Sequence, residues 1–301
     1  MSDVIVGVDA GASRVRVRVT CDGVLVGHGE GPGINPNVIG PSSAIEAILA
    51  VVRAHVQDLT VAAICIGAAG IDRDSTLEHY EAAVRRELAP LHLSVVPDAL
   101  LPLRAAVPVG DGAVLVAGTG SIAFAIAGTQ TFRTGGYGHA FGDEGSGFVI
   151  GRQGVRLALQ ALDLRAPQDE LTRAICEHFG TTELRGLLAS IYEDHAPNRR
   201  LALVAPLVIR LASEGHRGAT KIVQQAALDL ADLIRSVARN ARLSESDVPL
   251  VFAGGLLREN SLLTFLLETR VTNELPLMRP VKHGPEPVEG ALAIAESLLL
   301  A

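Results

Sequence analysis

Apolar and polar positions alternate from the first residues of the chain. Val4, Val6 and Val8 form one period-two run, and Val15, Val17 and Val19, interleaved with Arg14, Arg16 and Arg18, form a second. Such alternation predicts two strands, broken at Asp9-Ala10-Gly11-Ala12-Ser13. Asp22-Gly23 then turns the chain into a third short strand, Val24 to His28, so residues 4–28 read as a meander. The period changes at Ser43, where Ser43 and Glu46 read as a capping box ahead of a helix with Ile45, Ile48, Leu49, Val52 and Val56 on one face. The continuous apolar run from Val61 to Ile66, with β-branched Val61, Ile64 and Ile66, suits a strand covered on both faces. A helix from Ser75 carries Leu77, Tyr80, Val84 and Leu88, and a short strand, Leu93 to Val96, ends at Pro97-Asp98.

The order then starts again. Ala113 to Ala117 reads as a strand, Gly118-Thr119-Gly120-Ser121 as a tight turn, Ile122, Phe124 and Ile126 as a second strand, and Gly128-Thr129 as a turn into a third. Helical periods follow at about 148–162, 169–179, 182–192, 201–213 and 218–241, then the strand Leu250 to Ala253 and a Gly254-Gly255 turn into another helix. This doubling predicts an α/β protein of two related halves with a cleft between them, residues 1–109 and 110–301. The last helix, Val288 to Leu300, is free to pack back on either half, the N-terminal one included. Gly112 to Phe132 carries no charge and is long enough to span a bilayer, but it holds four glycines and its apolar residues alternate. A folded hairpin explains it better than a membrane helix.

Charge narrows the partners. A net charge of −7 argues against nucleic acid or an anionic membrane, which require clustered positive charge. With 48% apolar and 20% charged residues the chain can bury a large core. Cys21, Cys65 and Cys176 are far apart and outside any C-x-x-C, which predicts neither a disulfide framework nor a zinc site. The start, MSDVIVGVDAG, lacks the basic and apolar regions of a signal peptide, and with the cysteine usage this predicts a cytoplasmic protein. The 31 glycines exceed the roughly 7% typical of proteins without forming a repeat or linker, so they serve particular bends.

Several of those bends carry candidate chemistry. At Gly7-Val8-Asp9-Ala10-Gly11-Ala12-Ser13, backbone N–H groups and the Ser13 hydroxyl could face a phosphate while Asp9 holds Mg²⁺; the same string also describes an ordinary hairpin. Gly118-Thr119-Gly120-Ser121 resembles half of a dinucleotide fingerprint, but strand periodicity follows where that motif demands a helix. A strand-turn-strand of this kind suits a second phosphate clamp. Asp98, ending a strand and opening a helix, fits either a helix N-cap or a general base. In the glycine-dense stretch from Gly135 to Gly147, the backbone can approach a ligand closely, and Asp143 and Glu144 suit sugar hydroxyls or a metal. His139 reads as a structural or surface histidine, and the three strand arginines read as a solvated face.

Taken in order, Gly7 to Ser13, Pro97-Asp98-Ala99, Gly118 to Ser121, Gly138-His139-Ala140-Phe141-Gly142-Asp143-Glu144-Gly145-Ser146-Gly147, Phe252-Ala253-Gly254-Gly255 and Pro287-Val288-Glu289-Gly290-Ala291 resemble the BadF/BadG/BcrA/BcrD ATPase family. The match is nearest to its N-acetylglucosamine kinase branch. The resemblance implies two actin-like lobes of ribonuclease-H type, ATP and Mg²⁺ as cofactors, phosphorylation of the sugar 6-hydroxyl, and a homodimer. It further implies that Asp9 organises Mg²⁺, that Gly11, Ser13, Gly118, Thr119 and Gly120 meet phosphates, and that Asp98 is the base. Asn35, with Asn37 as the alternative register, Tyr137, Gly138 and Asp143 would contact the sugar, and Gly254 and Gly255 would flank the adenosine. Amino-sugar kinases commonly carry Trp where this chain has Tyr137, and there is no Trp in the chain. Glucosamine, muramic-acid derivatives and glucose are the alternative sugars. A non-catalytic nucleotide sensor or an activator ATPase is the alternative class, the latter needing cluster-binding cysteines that Cys21, Cys65 and Cys176 do not provide by position.

Overall fold

A computed structural model of the chain describes residues 3–12, 14–34, 36–56, 59–71, 74–192, 197–257, 260–281 and 284–300. The alternating valines become β1 (Val4–Ala10) and β2 (Arg14–Cys21), antiparallel neighbours joined in turn to β3 (Val24–Pro32). Val15, Val17 and Val19 are fully buried, as period two requires when one face meets a core. Two helices follow, α1 (Pro36–Ile39) and α2 (Pro41–Val56), the second laying Ile45, Ile48, Leu49 and Val52 into that core. Gly40, at φ +82°, carries the carbonyl that the Ala44 N–H meets at 3.1 Å, so Gly40 caps α2 and the expected cap Ser43 lies inside the first turn. Pro41 explains the shift, since its fixed φ suits the first helical position.

Next come β4 (Val61–Ala68), α3 (Asp74–Leu88), β5 (His92–Pro97), a 3₁₀ turn (Asp98–Leu100) and α4 (Leu101–Ala106). All eight residues of β4 are buried. The sheet order is β3-β2-β1-β4-β5, with β1, β4 and β5 parallel.

A second compact unit begins at Asp111. Its meander is β6 (Gly112–Ala117), β7 (Ser121–Ala127) and β8 (Gln130–Gly135), so the uncharged stretch is two hairpins. Among the described residues no helix is long and apolar enough to cross a membrane. Six helices follow: α5 (Gly147–Leu162), α6 (Glu170–His178), α7 (Leu184–Tyr192), α8 (Pro197–Ala202), α9 (Ala205–Ser213) and α10 (Arg217–Asn240). Then β9 (Val248–Ala253), α11 (Leu262–Glu274) and β10 (Met278–Val281) complete the unit. Its sheet runs β10-β9-β6-β7-β8. Counted from the first strand of each unit, both sheets have the order 3-2-1-4-5 with the same strand directions, which is the duplicated ribonuclease-H-type topology of actin-like folds.

The chain returns to the first unit for α12 (Pro287–Ser297), which lies on β1, β4 and α4. Two glycines make that approach possible. A methyl group on Gly7 would meet Leu292 N at 2.7 Å, and one on Gly290 would collide with the Leu101 carbonyl oxygen. Salt bridges fix the N-terminal end of α12: Arg18 to Glu286 at 2.8 Å and to Glu289 at 3.5 Å, and Arg16 to Glu286 at 3.5 Å. The expected solvated arginine face holds for Arg14, whose side chain is 53% exposed, but not for Arg16 and Arg18, which are only 14% and 19% exposed under these partners. Cys21, Cys65 and Cys176 are free thiols.

Candidate active site

In the first unit the carboxyl ends of the parallel strands come level, with Ala10 opposite Ala68 and Ala68 opposite Pro97. Loops leaving that edge hold the candidate groups, as ligand sites in open α/β sheets do. Asp9 stands one residue before the end of β1, paired across the ladder with Arg16, whose Nη1 is 3.8 Å from Asp9 Oδ2. The turn is closed by Gly11 N–H to Arg14 O at 3.0 Å, and Ile34 N–H donates to Gly11 O at 3.1 Å. Asp98 begins the 3₁₀ turn after β5. The residue ahead of α4 is Leu100 and no side chain caps that helix, so the N-cap reading of Asp98 is set aside. A methyl placed on Gly11 would lie 3.8 Å from Asp98 Oδ2 and 3.9 Å from Asp9 Oδ1. Residues 89 positions apart in the sequence thus flank one glycine with two carboxylates.

The second unit builds its counterpart from three loops. The apex Gly118-Thr119-Gly120 closes by Gly118 N–H to Gly120 O at 2.9 Å, with Thr119 exposed. The glycine-dense loop then clamps it: Asp143 Oδ1 accepts the Ser121 N–H at 3.2 Å, Ser121 Oγ donates to Glu144 O at 2.6 Å, and Gly147 N–H donates to Gly118 O at 2.8 Å. Asp143 sits so close that a methyl on Gly120 would be 2.5 Å from its Oδ1. It does so with φ +61°, a left-handed conformation that non-glycine residues rarely adopt. Burial raises its carboxyl above the usual range, against the Ser121 hydrogen bond and the His139 charge that lower it, with Glu144 raising it further. Ser146 caps α5 by accepting the Val149 N–H, and His139 stacks edge-on against Phe148 at 5.9 Å.

Tyr137, Gly138 and Phe141 stand out from this loop, with Tyr137 67% and Phe141 87% exposed and Arg133 lying 5.8 Å from the Tyr137 ring centroid. Gly138, at φ +79°, turns its carbonyl inward to the Gly142 N–H at 2.8 Å. The third loop leaves β9 at Gly254-Gly255. Gly254 has φ +92° and lies against the Ala117 carbonyl, which also receives the Leu256 N–H at 3.2 Å. A methyl on Gly118 would be 4.0 Å from Gly255 N, so the two glycine turns adjoin.

The second unit also holds a pocket of about 960 Å³, walled by the α9–α10 turn (Gly215, Arg217, Thr220, Lys221) and the start of α11 (Ser261, Phe265). None of these was singled out by the sequence, where they read as ordinary helix-terminal residues. The Ser261 N-cap before α11, whose Oγ accepts the Thr264 N–H, was the one local signal available. In all, Asp9, Gly11 and Asp98 come together in the first unit, and Gly118, Thr119, Gly120, Gly138, Asp143, Gly254 and Gly255 in the second. Ser13 and Asn35 lie outside the described residues.

The model of the BadF/BadG/BcrA/BcrD ATPase family matches residues 6–295. An N-acetyl-D-glucosamine kinase of Dictyostelium discoideum is 28% identical over 313 residues, covering 97% of this chain and 98% of the relative. An N-acetylmuramic acid/N-acetylglucosamine kinase of Clostridium acetobutylicum is 26% identical over 305 residues, with 97% and 98% covered. The solved structure of a Chromobacterium violaceum protein with a provisional N-acetylglucosamine kinase name superposes with a TM-score of 0.78 at 24% identity, covering 97% of this chain and 99% of that one. It shares the fold.

Proposed function

The chain belongs to the BadF/BadG/BcrA/BcrD ATPase family, and on that premise we propose that it is an ATP-dependent amino-sugar kinase acting on the 6-hydroxyl of N-acetylglucosamine. The observation that carries the reading is the placement of Asp98 beside Asp9 around the bare Cα of Gly11. Phosphoryl transfer asks a protein mainly for position and charge, with one carboxylate to receive the hydroxyl proton. Asp98 takes that proton as the sugar oxygen bonds to the γ-phosphorus and the bond to the ADP oxygen breaks. Gly11 leaves room for a phosphate oxygen to reach the turn's backbone N–H groups. In the second unit the Gly118 to Gly120 apex offers a second set of such groups, Gly138 and Asp143 meet sugar hydroxyls, Tyr137 offers a ring to the 2-substituent, and Gly254 and Gly255 flank the adenosine, whose base is assigned to the pocket walled by the α9–α10 turn and α11. Asn35 and Ser13 would take the sugar and phosphate contacts that the family pattern implies.

The residues fit a Mg²⁺ ion. Among the described residues no three acidic, His or Cys side chains converge, and Mg²⁺ does not require that, because it keeps several waters and binds one or two carboxylates plus substrate phosphates. Asp9, with its side chain 15% exposed, would hold it. Bound there, it would offset charge on the phosphates. A cytoplasmic homodimer completes the proposal. Asp98→Asn keeps the shape and removes the proton acceptor. Its kcat is expected to fall by about 10²-fold or more with ATP binding retained, and turnover near the wild-type rate would refute the assignment.

A further inference from the structure

One side chain caps α10 just after the turn that walls the pocket. His216 is the N-cap of α10: its Nδ1 accepts the Ala219 N–H at 3.1 Å. On the other edge of the ring, Nε2 lies 2.9 Å from Asp169 Oδ2. An Nδ1 that accepts carries no proton, so the proton sits on Nε2 and is donated to the carboxylate. Asp169 is itself the N-cap of α6, its Oδ1 accepting the N–H and the hydroxyl of Thr172, each at 2.9 Å. The imidazole thus ties the beginnings of two helices 47 residues apart in the sequence. The backbone around it is equally engaged. His216 N–H donates to Leu211 O at 2.9 Å, and Thr220 Oγ1 donates to His216 O at 3.0 Å. Gly215, at φ +93°, makes the bend that brings the ring inward, where its side chain is 15% exposed.

Gly215, Arg217, Thr220 and Lys221, on both sides of His216, all line the pocket. The ring faces Asp169, which is not among the lining residues. His216 is itself not a lining residue and bears on the pocket only through the neighbours whose backbone it holds. We infer that His216 is a positioning residue that sets the nucleotide-binding wall through its clasp to Asp169; the inference rests on the reading of this pocket as the adenosine site. Without the clasp the first turn of α10 loses its cap and its tie to α6, and the wall samples orientations in which Thr220 and Lys221 no longer face the ligand. Only the fraction of molecules with the wall in place binds nucleotide well, so the loss is read in apparent affinity.

The test is steady-state kinetics on the full chain with ATP and N-acetylglucosamine varied separately. H216A should raise the KM for ATP about five- to tenfold, the size of a lost helix cap, with kcat and the sugar KM within about twofold of wild type. H216N, whose side chain can cap α10 again, should recover part of the ATP affinity and serves also if H216A folds poorly. An unchanged ATP KM in H216A, no recovery in H216N, or kcat and the sugar KM moving in step with the ATP KM would each overturn the inference. S213W, which places a bulky side chain at the exposed pocket rim, separates the two levels. If S213W leaves the ATP KM unaltered, the adenosine reading of the pocket falls. If S213W abolishes ATP turnover while H216A binds ATP normally, the clasp alone falls.

Discussion

Gly11→Ala separates folding from chemistry in the first unit. Gly11 is not among the residues with positive φ, so an alanine can adopt its backbone. The new methyl would meet Arg14 O at 3.5 Å, Asp98 Oδ2 at 3.8 Å and Asp9 Oδ1 at 3.9 Å, all ordinary van der Waals separations. Nothing in the fold has to move. Because alanine leaves the unfolded chain fewer conformations to lose, the substitution should stabilise by about 0.4–1 kcal/mol, which corresponds to a rise of roughly 1–4 °C in Tm. The same methyl fills the space between the two carboxylates where a phosphate must approach the turn. Losing one charge-assisted N–H bond to a phosphate is worth about 1.5–3 kcal/mol, so kcat/KM should fall about ten- to hundredfold. Thermal melts followed by circular dichroism read the first quantity and coupled ADP release reads the second. A variant with wild-type kcat/KM, or one whose Tm falls by several degrees, would refute the assignment of Gly11 to phosphate approach.

Three further outcomes follow from the same geometry. Tyr80 is fully buried, its hydroxyl has no hydrogen-bond partner among the described residues, and burial pushes its phenol up to about 12; Tyr80→Phe should leave the melting temperature unchanged or raise it, since an unmet buried hydroxyl costs about 1–3 kcal/mol. Gly254→Ala drives a methyl into the Ala117 carbonyl at φ +92°, whereas a methyl on Gly255 meets open space. Gly254→Ala should therefore lower both Tm and ATP affinity and Gly255→Ala the ATP affinity alone, as read by melts with and without ATP. Asp143, whose folded pKa is raised chiefly by burial, opposes folding at neutral pH, and that cost disappears as pH falls through the folded value towards the unfolded one near 3.9. Asp143→Asn, able to keep the Ser121 bond, should melt higher than wild type at pH 7 by a margin that shrinks in acid, while its sugar KM rises.

Period-two and period-3.6 patterns were enough to find most elements because each has one face committed to a core. β10 escaped because it has four residues, with Pro280 among them, and pairs only with β9 at the sheet edge. The docking of α12 was left open, since its apolar stripe suits any core; Gly7 and Gly290, which settle it, have meaning only once β1 and α4 are in place. Asp98 illustrates the same limit. The sequence placed it at a strand end, but only the tertiary pairing of β1, β4 and β5 brings it to Gly11. The motifs flagged the glycine turns because close backbone approach demands glycine wherever it occurs. The pocket beyond them left no such trace, being walled by side chains common at any helix end.

On this reading a sugar hydroxyl is the acceptor of an ATP phosphoryl group. Coupled ADP release, measured with Mg²⁺ and ATP across N-acetylglucosamine, glucosamine, N-acetylmuramic acid and glucose, tests it directly when the product is read by phosphorus NMR. Release should depend on sugar, be fastest with N-acetylglucosamine, and yield the 6-phosphate. Release that proceeds at one rate with or without any sugar, or no release at all from a folded, ATP-binding protein, would contradict it.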